Sequence, residues 1–452
     1  MSTNDAQIVI TPSKSALIDG VAQKLIVLMR VQAPDANPFE LKKRKPYHLA
    51  LTLDRSGSMS GEPLFEAVLC AKYMIDRLNT TDIASLIVFD DRVRTMVPAK
   101  EVGDRKVFHQ ALARIHSGGS TNLYGGWRSG ADSILPEANC AALARVLLLS
   151  DGNANKGETT DCNAIAAYCA EAAELGVSTS TYGLGRNFNE ELMVEMATQG
   201  RGNHYYGDTA ADLYEPFATE FDLISNLYAR QVKLTLVTPK DVKLKLLNDY
   251  PINSKETITI TNLPDLAYGA EAWALIELEI PATMALASGC ELLQAKVSAC
   301  TPDGEELDFS DKALNLHAIS VSAWNVLLDE PLVKTRQAEI EAGAFLAKLR
   351  FVTDHEDWET VQKMLEDGKI RFADYSWVIE VLDSMSELAR AKDSHRFRKE
   401  AFYTSKKMSN RLSAKEEALM FNELNESQSP SYLRRKPSQG KAIFEQRPDE
   451  EC

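Results

Sequence analysis

The spacing of hydrophobic and polar positions changes several times along this chain. Near the N-terminus QIVIT alternates, KLIVLMRVQA is a longer apolar-rich run, and Asp19-Gly20 supplies a turn between them. This pattern predicts two strands within residues 1–40. Because these strands have no other obvious partner, we expect them to join a β-sandwich formed further along the chain.

Between residues 45 and 226, short apolar strands alternate with amphipathic helices. The strand candidates are HLALTL, ASLIVFD, RVLLLS, VSTSTYGL and NHYYG, with RTMVPA expected at a sheet edge. The helix candidates are GEPLFEAVLCAKYMIDRL and residues 104–115, 123–135, 160–175, 189–199 and 210–227. Apolar strands that alternate with helices predict an α/β fold, with a doubly wound, mostly parallel sheet covered on both faces.

The pattern changes again after this segment. Residues 228–320 alternate with a period of two, which predicts an adjoining antiparallel β-sandwich. Residues 322–425 return to helical spacing and predict a C-terminal helical region, with its fourth helix through 410–424. Residues 426–452 are rich in Ser, Pro and charge, and we expect a disordered tail there.

Charge and apolar runs exclude several classes of protein. The chain has 452 residues, with 50 Lys and Arg against 65 Asp and Glu, so its net charge is −15. This acidic balance argues against nucleic acid or an anionic membrane as the main partner. The sequence contains no uninterrupted apolar stretch of about 18 residues, so we expect no membrane span.

The N-terminus and the cysteines bear on localisation. MSTNDAQIVITPSKS lacks a basic region followed by an apolar run, so we expect no secretory signal. The seven cysteines are scattered and form no CxxC pair, which favours reduced thiols over a disulfide framework. Together these features predict a cytoplasmic protein.

Candidate chemistry begins in the segment HLALTLDRSGSMSG, where a predicted strand ends and Asp54, Ser56 and Ser58 follow. In open α/β sheets, ligand sites form beyond the carboxyl ends of the strands. A loop with one carboxylate and two hydroxyls at such a position offers three hard oxygen ligands for a metal ion. Alone, the D-x-S-x-S pattern is also typical of a helix N-cap.

Two more loops extend this set of ligands. Thr121 lies in the polar, Gly-rich segment HSGGSTNLYGG, and Asp151 follows the strand RVLLLS. The five side chains suit Mg²⁺ or Mn²⁺, because these ions prefer oxygen ligands and keep several waters. Zinc is disfavoured, since no ligand position carries His or Cys.

Taken in order, Asp54-x-Ser56-x-Ser58, Thr121 and Asp151-Gly152 resemble the metal-ion-dependent adhesion site of von Willebrand factor type A domains. The resemblance covers residues 45–226. It implies that the two serines and the threonine contact the ion. It also implies that the first aspartate binds directly or through water, and the last aspartate through water.

The wider arrangement is similar to intracellular, bacterial-type proteins of this family and to inter-alpha-trypsin inhibitor heavy chains. Some intracellular relatives recruit substrates to an AAA+ ATPase of the MoxR kind, so such an ATPase is one partner that the resemblance implies.

Three functions remain open at this stage. The leading hypothesis is Mg²⁺-dependent binding of a protein whose Asp or Glu completes the coordination of the ion. The second is a metal-independent scaffold that binds through its β or helical regions. The third is a Mg²⁺-dependent hydrolase, but HExxH and GxSxG motifs are absent and we assign no catalytic residue, so we expect no enzyme.

Several neighbours of the five ligand candidates carry alternative interpretations. Asp90 and Asp91 are either further ligands or the turn into the edge strand. Asn122 and Asn153 either donate hydrogen bonds to the ligand side chains or shape their loops. Arg55 and Met59 lie in the first loop, and we expect their side chains to be free to contact a partner.

Overall fold

The structure is a computed structural model, and it describes residues 6–35, 45–135, 143–151, 153–184, 188–207, 210–285, 289–353, 357–415 and 430–439. The chain divides into two compact units. One comprises Met1–Arg44 with Leu223–Pro437, and the other comprises Lys45–Asp222 with Ser438–Cys452.

Helices and strands alternate through the middle of the chain, after three N-terminal strands. The N-terminal strands are β1 (Gln7–Pro12), β2 (Leu17–Ile18) and β3 (Gln23–Gln32). The elements that follow are β4 (Tyr47–Asp54), α1 (Glu62–Arg77), β5 (Ile83–Phe89), β6 (Val93–Glu101), α2 (Lys106–Leu112), α3 (Leu123–Ile134), β7 (Leu143–Ser150), α4 (Cys162–Glu174), β8 (Val177–Leu184), α5 (Glu190–Gln199), β9 (Arg201–Gly207) and α6 (Tyr214–Ser225).

These middle strands form one six-stranded sheet in the order β6-β5-β4-β7-β8-β9. All neighbours are parallel except β6, which pairs antiparallel with β5 at the edge. Every residue of β4 is buried, as its continuous apolar sequence predicted. The α/β fold class is therefore confirmed. The strand order reverses beside β4, which places a ligand-binding crevice at the carboxyl ends of β4 and its neighbours.

A buried carboxylate fastens α6 to this sheet. Arg145 on β7 donates to Oε1 of Glu220 at 2.7 Å, and the Ser180 hydroxyl donates to the same oxygen at 2.6 Å. Tyr205 and Asn203 donate to Oε2 at 2.7 and 2.8 Å. Burial opposes ionisation, but Arg145 and these hydrogen bonds hold the pKa of Glu220 below its ordinary value.

The remaining elements are mostly short strands followed by long helices. They are β10 (Leu227–Val237), β11 (Lys243–Leu246), β12 (Ile252–Lys255), β13 (Ile258–Asn262), β14 (Leu266–Ala267), β15 (Ala270–Ile280), β16 (Cys290–Cys300), β17 (Glu306–Asp308), β18 (Lys312–Leu316), β19 (Ala318–Ile319), α7 (Val321–Asn325), α8 (Pro331–Thr353), α9 (Trp358–Arg371), α10 (Ser376–Ala391), α11 (Ser394–Asn410) and β20 (Ser413–Ala414).

Most strands of the unit that contains the two chain segments flanking the α/β domain form two antiparallel sheets, while β2 pairs in parallel with β19. One has the order β1-β3-β15-β11, with β20 also paired to β15, and the other has the order β12-β13-β10-β16-β17, with β14 on β10 and β18 on β16. β3 pairs with β15 over ten residues, from Gln23 opposite Ile280 to Gln32 opposite Glu271. Apolar side chains from both sheets share one core, which confirms the expected antiparallel sandwich.

The helices α8 to α11 pack around a separate apolar core, so the predicted helical region is confirmed. Leu332 and Val333 of α8 also pack on Leu28, Trp273 and Leu275 of the first sheet. Within the described ranges, no helix is both long and apolar enough to cross a membrane.

The fourth helix differs from its sequence prediction. We expected it through 410–424, but α11 ends at Asn410, Ser413 pairs with β15, and residues 416–424 lie outside the described ranges. The side chain of Asp393 caps α11. Phe397 and Ala401 are buried within an otherwise strongly charged sequence, which hid the helical period.

The predicted disordered tail is wrong for residues 430–439. These residues include a 3₁₀ turn at Ser431–Leu433, and Leu433 is buried in the core of the sandwich. The guanidinium of Arg435 lies 5.5 Å from the Trp377 ring centroid. Leu433 in the core and Arg435, which also pairs with Glu339 at 3.7 Å, help to order this segment although it has no periodic pattern. The rest of the predicted tail lies outside the described residues.

We predict that Glu220→Ala lowers the free energy of unfolding by about 3–5 kcal/mol, because it leaves the buried Arg145 guanidinium without its carboxylate. Urea denaturation followed by circular dichroism measures the change. Asp132→Ala is the control, since the Arg128–Asp132 pair is solvent-exposed and should contribute less than about 1 kcal/mol. Equal effects of the two substitutions would contradict the anchoring role of Glu220.

Candidate metal centre

Asp54 is the last residue of the central strand β4, and its side chain is completely buried. Its Oδ1 accepts a hydrogen bond from the Ser56 backbone N–H at 2.8 Å. Its Oδ2 accepts one from the hydroxyl of Ser150, the last residue of the neighbouring strand β7, at 2.5 Å. The carboxylate is thus held in one orientation at the carboxyl end of the sheet.

The surroundings of Asp54 disfavour its negative charge. Burial raises its pKa to about 6, and the nearby charge of Asp151 acts in the same direction. The hydrogen bonds from Ser150 and Ser56 oppose this rise but do not cancel it. A cation bound beside Asp54 would relieve both the desolvation and the repulsion between the two carboxylates.

Ser56 and Ser58 follow Asp54 in a tight turn. A 3₁₀ turn at Gly57–Met59 brings their hydroxyl oxygens to 3.1 Å from each other. Ser56 is buried, whereas Ser58 is exposed. The pair therefore lies between the interior carboxylate and the solvent.

Thr121 lies in the loop before α3 and is buried. Its backbone N–H donates to Oδ1 of Asn155 at 2.9 Å, and its carbonyl accepts from the backbone N–H groups of Asn155 and Lys156, each at 3.2 Å. Asn122 accepts from the Gly125 N–H at 2.9 Å and caps α3, which supports the loop-former interpretation. The loop that carries Thr121 is thus joined to the loop that follows β7.

Asp151 follows directly after β7. Its Oδ1 is buried and accepts no hydrogen bond from any residue that the structure describes. Such an orphaned carboxylate oxygen is costly unless a proton, water or cation satisfies it. Gly152, the next residue of the motif, lies outside the described residues.

The donors suit a hard divalent cation. In the described parts of the chain, no three Asp, Glu, His or Cys side chains cluster as metal ligands. The candidate set instead consists of two carboxylates and three hydroxyls. Mg²⁺ binds one or two carboxylates and retains waters, which fits this set. The orphaned Oδ1 of Asp151 and the buried Asp54 are the features of the structure that a bound cation would satisfy.

Comparison with known proteins identifies this part of the chain. Residues 48–218 match the model of the von Willebrand factor type A domain. They form a von Willebrand factor type A domain. Members of this family generally act in protein interaction and adhesion.

The match extends to bacterial and animal proteins. The chain is 26% identical over 219 residues to the uncharacterized protein sll0103 of Synechocystis, covering 48% of this chain and 51% of that protein. It is 27% identical to the uncharacterized YfbK of Escherichia coli, covering 50% of this chain and 37% of YfbK. Inter-alpha-trypsin inhibitor heavy chain H2 of Sus scrofa is 28% identical, covering 37% and 19%. The chain therefore spans about half or less of these relatives.

Two solved structures share the fold over most of the chain. A von Willebrand factor type A protein from Catenulispora acidiphila has a TM-score of 0.67 at 14% identity, covering 86% of this chain and 90% of that one. The ArnB paralog VWA2 from Sulfolobus acidocaldarius has a TM-score of 0.58 at 16% identity, covering 88% and 99%. Similarity at this level of identity shows the fold alone.

The expectation that Arg55 and Met59 are free to contact a partner is wrong for this von Willebrand factor type A domain. Met59 is completely buried, because the 3₁₀ turn directs it into the core. Arg55 forms an ion pair with Asp90 at 2.5 Å. Asp90 also accepts the Arg92 N–H at 2.8 Å, which agrees with the turn interpretation.

Two residues of the centre have no motif that could have revealed them. Ser150 fixes the Asp54 carboxylate, and Asn155 fixes the backbone of Thr121. Both are polar residues beside ligand positions on neighbouring loops. Neither residue was predicted from the sequence, and their proximity to a ligand candidate is the one signal that could have found them.

We predict that Asp54→Asn stabilises the metal-free protein at about pH 7.5, by up to about 3 kcal/mol. The folded state holds the Asp54 proton more tightly than the unfolded chain does. Ionisation therefore removes stability as the pH rises from about 4 to the folded pKa of about 6. Urea unfolding in EDTA at about pH 7.5 and about pH 4.5 measures this, with a stabilisation of only about 1 kcal/mol expected at the lower pH.

Asp132→Asn is the matched control, because its carboxylate is exposed. A stabilisation by Asp54→Asn that is equal at both pH values would disagree with a buried, raised-pKa carboxylate.

Proposed function

We propose that this von Willebrand factor type A domain binds Mg²⁺ (or Mn²⁺) through Asp54, Ser56, Ser58, Thr121 and Asp151. The domain then binds a protein partner whose Asp or Glu completes the coordination of the ion. The observation that carries this proposal is the orphaned Oδ1 of Asp151 beside the buried Asp54 carboxylate.

The balance of charges supports a partner carboxylate. Asp54 and Asp151 together neutralise a divalent cation, and the other three ligands are uncharged hydroxyls. When bound, Mg²⁺ would supply a Lewis-acidic position for a further carboxylate oxygen. Hydroxyl ligands donate less charge than carboxylates do, so the site retains affinity for an anionic group.

The small residues around the metal centre are consistent with a partner that is a folded protein. Gly57, Ser58, Gly118, Gly119 and Ser120 are exposed and carry small side chains or none. The backbone of a partner can therefore approach closely while one acidic side chain reaches inward. An AAA+ ATPase complex is one class of partner that the family resemblance suggests.

We further propose that the centre is not catalytic. Both oxygens of Asp54 accept hydrogen bonds, from Ser56 and from Ser150, which favours a fixed ligand over a group that moves protons. Turnover of phosphate esters by the wild-type protein that is lost in Asp54→Ala would favour a hydrolase instead.

We expect wild-type protein with Mg²⁺ to capture a partner from native lysate, and expect capture to fail with EDTA or with Asp54→Ala. The reason is that removing the ion or its buried carboxylate ligand removes the position for the partner's acidic group. Immobilised protein, quantitative mass spectrometry of the bound fraction, and Mn²⁺ binding by electron paramagnetic resonance give the readouts.

Asp132→Ala removes an exposed carboxylate of the same domain and serves as the control. Equal capture with Mg²⁺, with EDTA and with Asp54→Ala would place binding on the β or helical regions, and would reject the adhesion-site mechanism.

A further inference from the structure

The Arg55–Asp90 ion pair lies between the loops that carry the candidate ligands. Arg55 stands between Asp54 and Ser56 in the chain, and Asp90 follows β5 directly. The distance from Nη2 to Oδ2 is 2.5 Å, and the side chains are 15% and 5% exposed. Nη1 of Arg55 also donates to the His116 carbonyl at 3.1 Å. The pair is thus partly shielded from solvent. Each side chain also has a second hydrogen bond, Arg55 to the His116 carbonyl and Asp90 from the Arg92 N–H.

Backbone hydrogen bonds of Arg55, Asp90 and Gly57 also join these loops. The Arg55 carbonyl accepts from the Gly118 N–H at 2.6 Å, and the Asp90 carbonyl accepts from the Asn122 N–H at 2.8 Å. The Gly57 N–H donates to the Gly119 carbonyl at 2.9 Å. The loop of Ser56 and Ser58, the loop after β5 and the loop of Thr121 therefore meet at this pair.

Gly118 has to lack a side chain for the pair to form. A Cβ on Gly118 would lie 1.8 Å from Oδ2 of Asp90, the oxygen that binds Arg55, and 2.7 Å from its Cγ. A Cβ on Gly119 would lie 2.8 Å from Oδ1 of Asp91. The two glycines of the HSGGST segment thus fit the loop closely against the Asp90-Asp91 dipeptide.

The charges of Arg55 and Asp90 affect cation binding, because Arg55 is adjacent to the candidate ligand Asp54 in the chain. A guanidinium next to Asp54 in the chain would repel a divalent cation if it had no partner. An unpaired Asp90 would add a third carboxylate to the region and weaken the preference for a partner's acidic group. Paired at 2.5 Å, the two charges offset each other.

We propose that Arg55 and Asp90 form a positioning clasp that assembles the ligand loops before any metal binds and keeps the guanidinium charge away from the ion. Asp90 is then a positioning residue and not a metal ligand. We call the two roles assembly, in which the ion pair holds the ligand loops together, and shielding, in which it keeps the guanidinium charge from the ion. Shielding rests on the proposed function, whereas assembly does not.

Hydrogen exchange of the full chain in EDTA tests the assembly role. Asp90→Asn should speed amide exchange at least about tenfold in peptides spanning 54–60 and 116–123, because the ion pair no longer fixes the loops. Asp132→Asn breaks an exposed pair of the same domain and should leave these peptides unchanged. Unchanged exchange in Asp90→Asn would overturn the clasp, whether or not the protein binds a metal.

Mn²⁺ titration tests the shielding role. Asp90→Asn should weaken Mn²⁺ binding by about tenfold or more, because the Arg55 charge is no longer offset. The double variant Arg55→Gln/Asp90→Asn should recover most of that loss. A double variant as weak as Asp90→Asn would overturn shielding and favour Asp90 as a direct ligand. Melting temperatures of all variants identify any that fail to fold.

Different results would reject the proposed function and the shielding role of the ion pair. Absence of Mn²⁺ binding by the wild-type protein would reject the proposed function together with the shielding role. Normal Mn²⁺ binding that is indifferent to the Asp90→Asn substitution would reject the shielding role alone.

Discussion

A carboxylate held out of water at the end of the central strand is the constraint around which the α/β domain is organised. Asp54 is buried because β4 lies inside the sheet and between parallel neighbours. Its two oxygens are satisfied by groups from its own loop and from the adjacent strand β7. The next carboxylate, Asp151, has one oxygen that no described residue satisfies. The sheet thus concentrates negative charge at one crevice, which is the condition that a cation site requires.

The loops around this crevice are held mainly by hydrogen bonds and small residues, and the buried Met59 side chain anchors the first loop in the core. Backbone groups of Arg55, Gly57 and Asn122 bond across from one loop to the next, and Gly118 permits the close approach. Hydrogen bonds define positions more sharply than apolar packing does, because they depend on direction as well as distance. Ligand loops built in this way hold the geometry of their oxygens while the small side chains leave the rim accessible.

Each of the two units also uses a buried ion pair to fix a helix on a sheet. In the α/β domain, Glu220 of α6 bonds to Arg145 of β7. In the sandwich unit, Arg336 of α8 bonds to Glu271 of β15 and to Glu339 one turn along its own helix. Such pairs add little net stability over an apolar contact, but they penalise any other position of the helix, because a displaced helix would leave a charge buried without its partner.

The sequence by itself determined the fold class, since the period of apolar residues depends only on local geometry and on which face is buried. It also nominated the five ligand candidates, because strand ends can be located along a chain, and their metal binding stays a prediction. Tertiary structure alone decided which groups serve those candidates. Asp90 lies 35 residues from Arg55, Ser150 lies 96 from Asp54, and Asn155 lies 34 from Thr121. Periodicity indicates which face of an element is buried, but these pairs exist only because the strand order brings separate loops to one edge of the sheet.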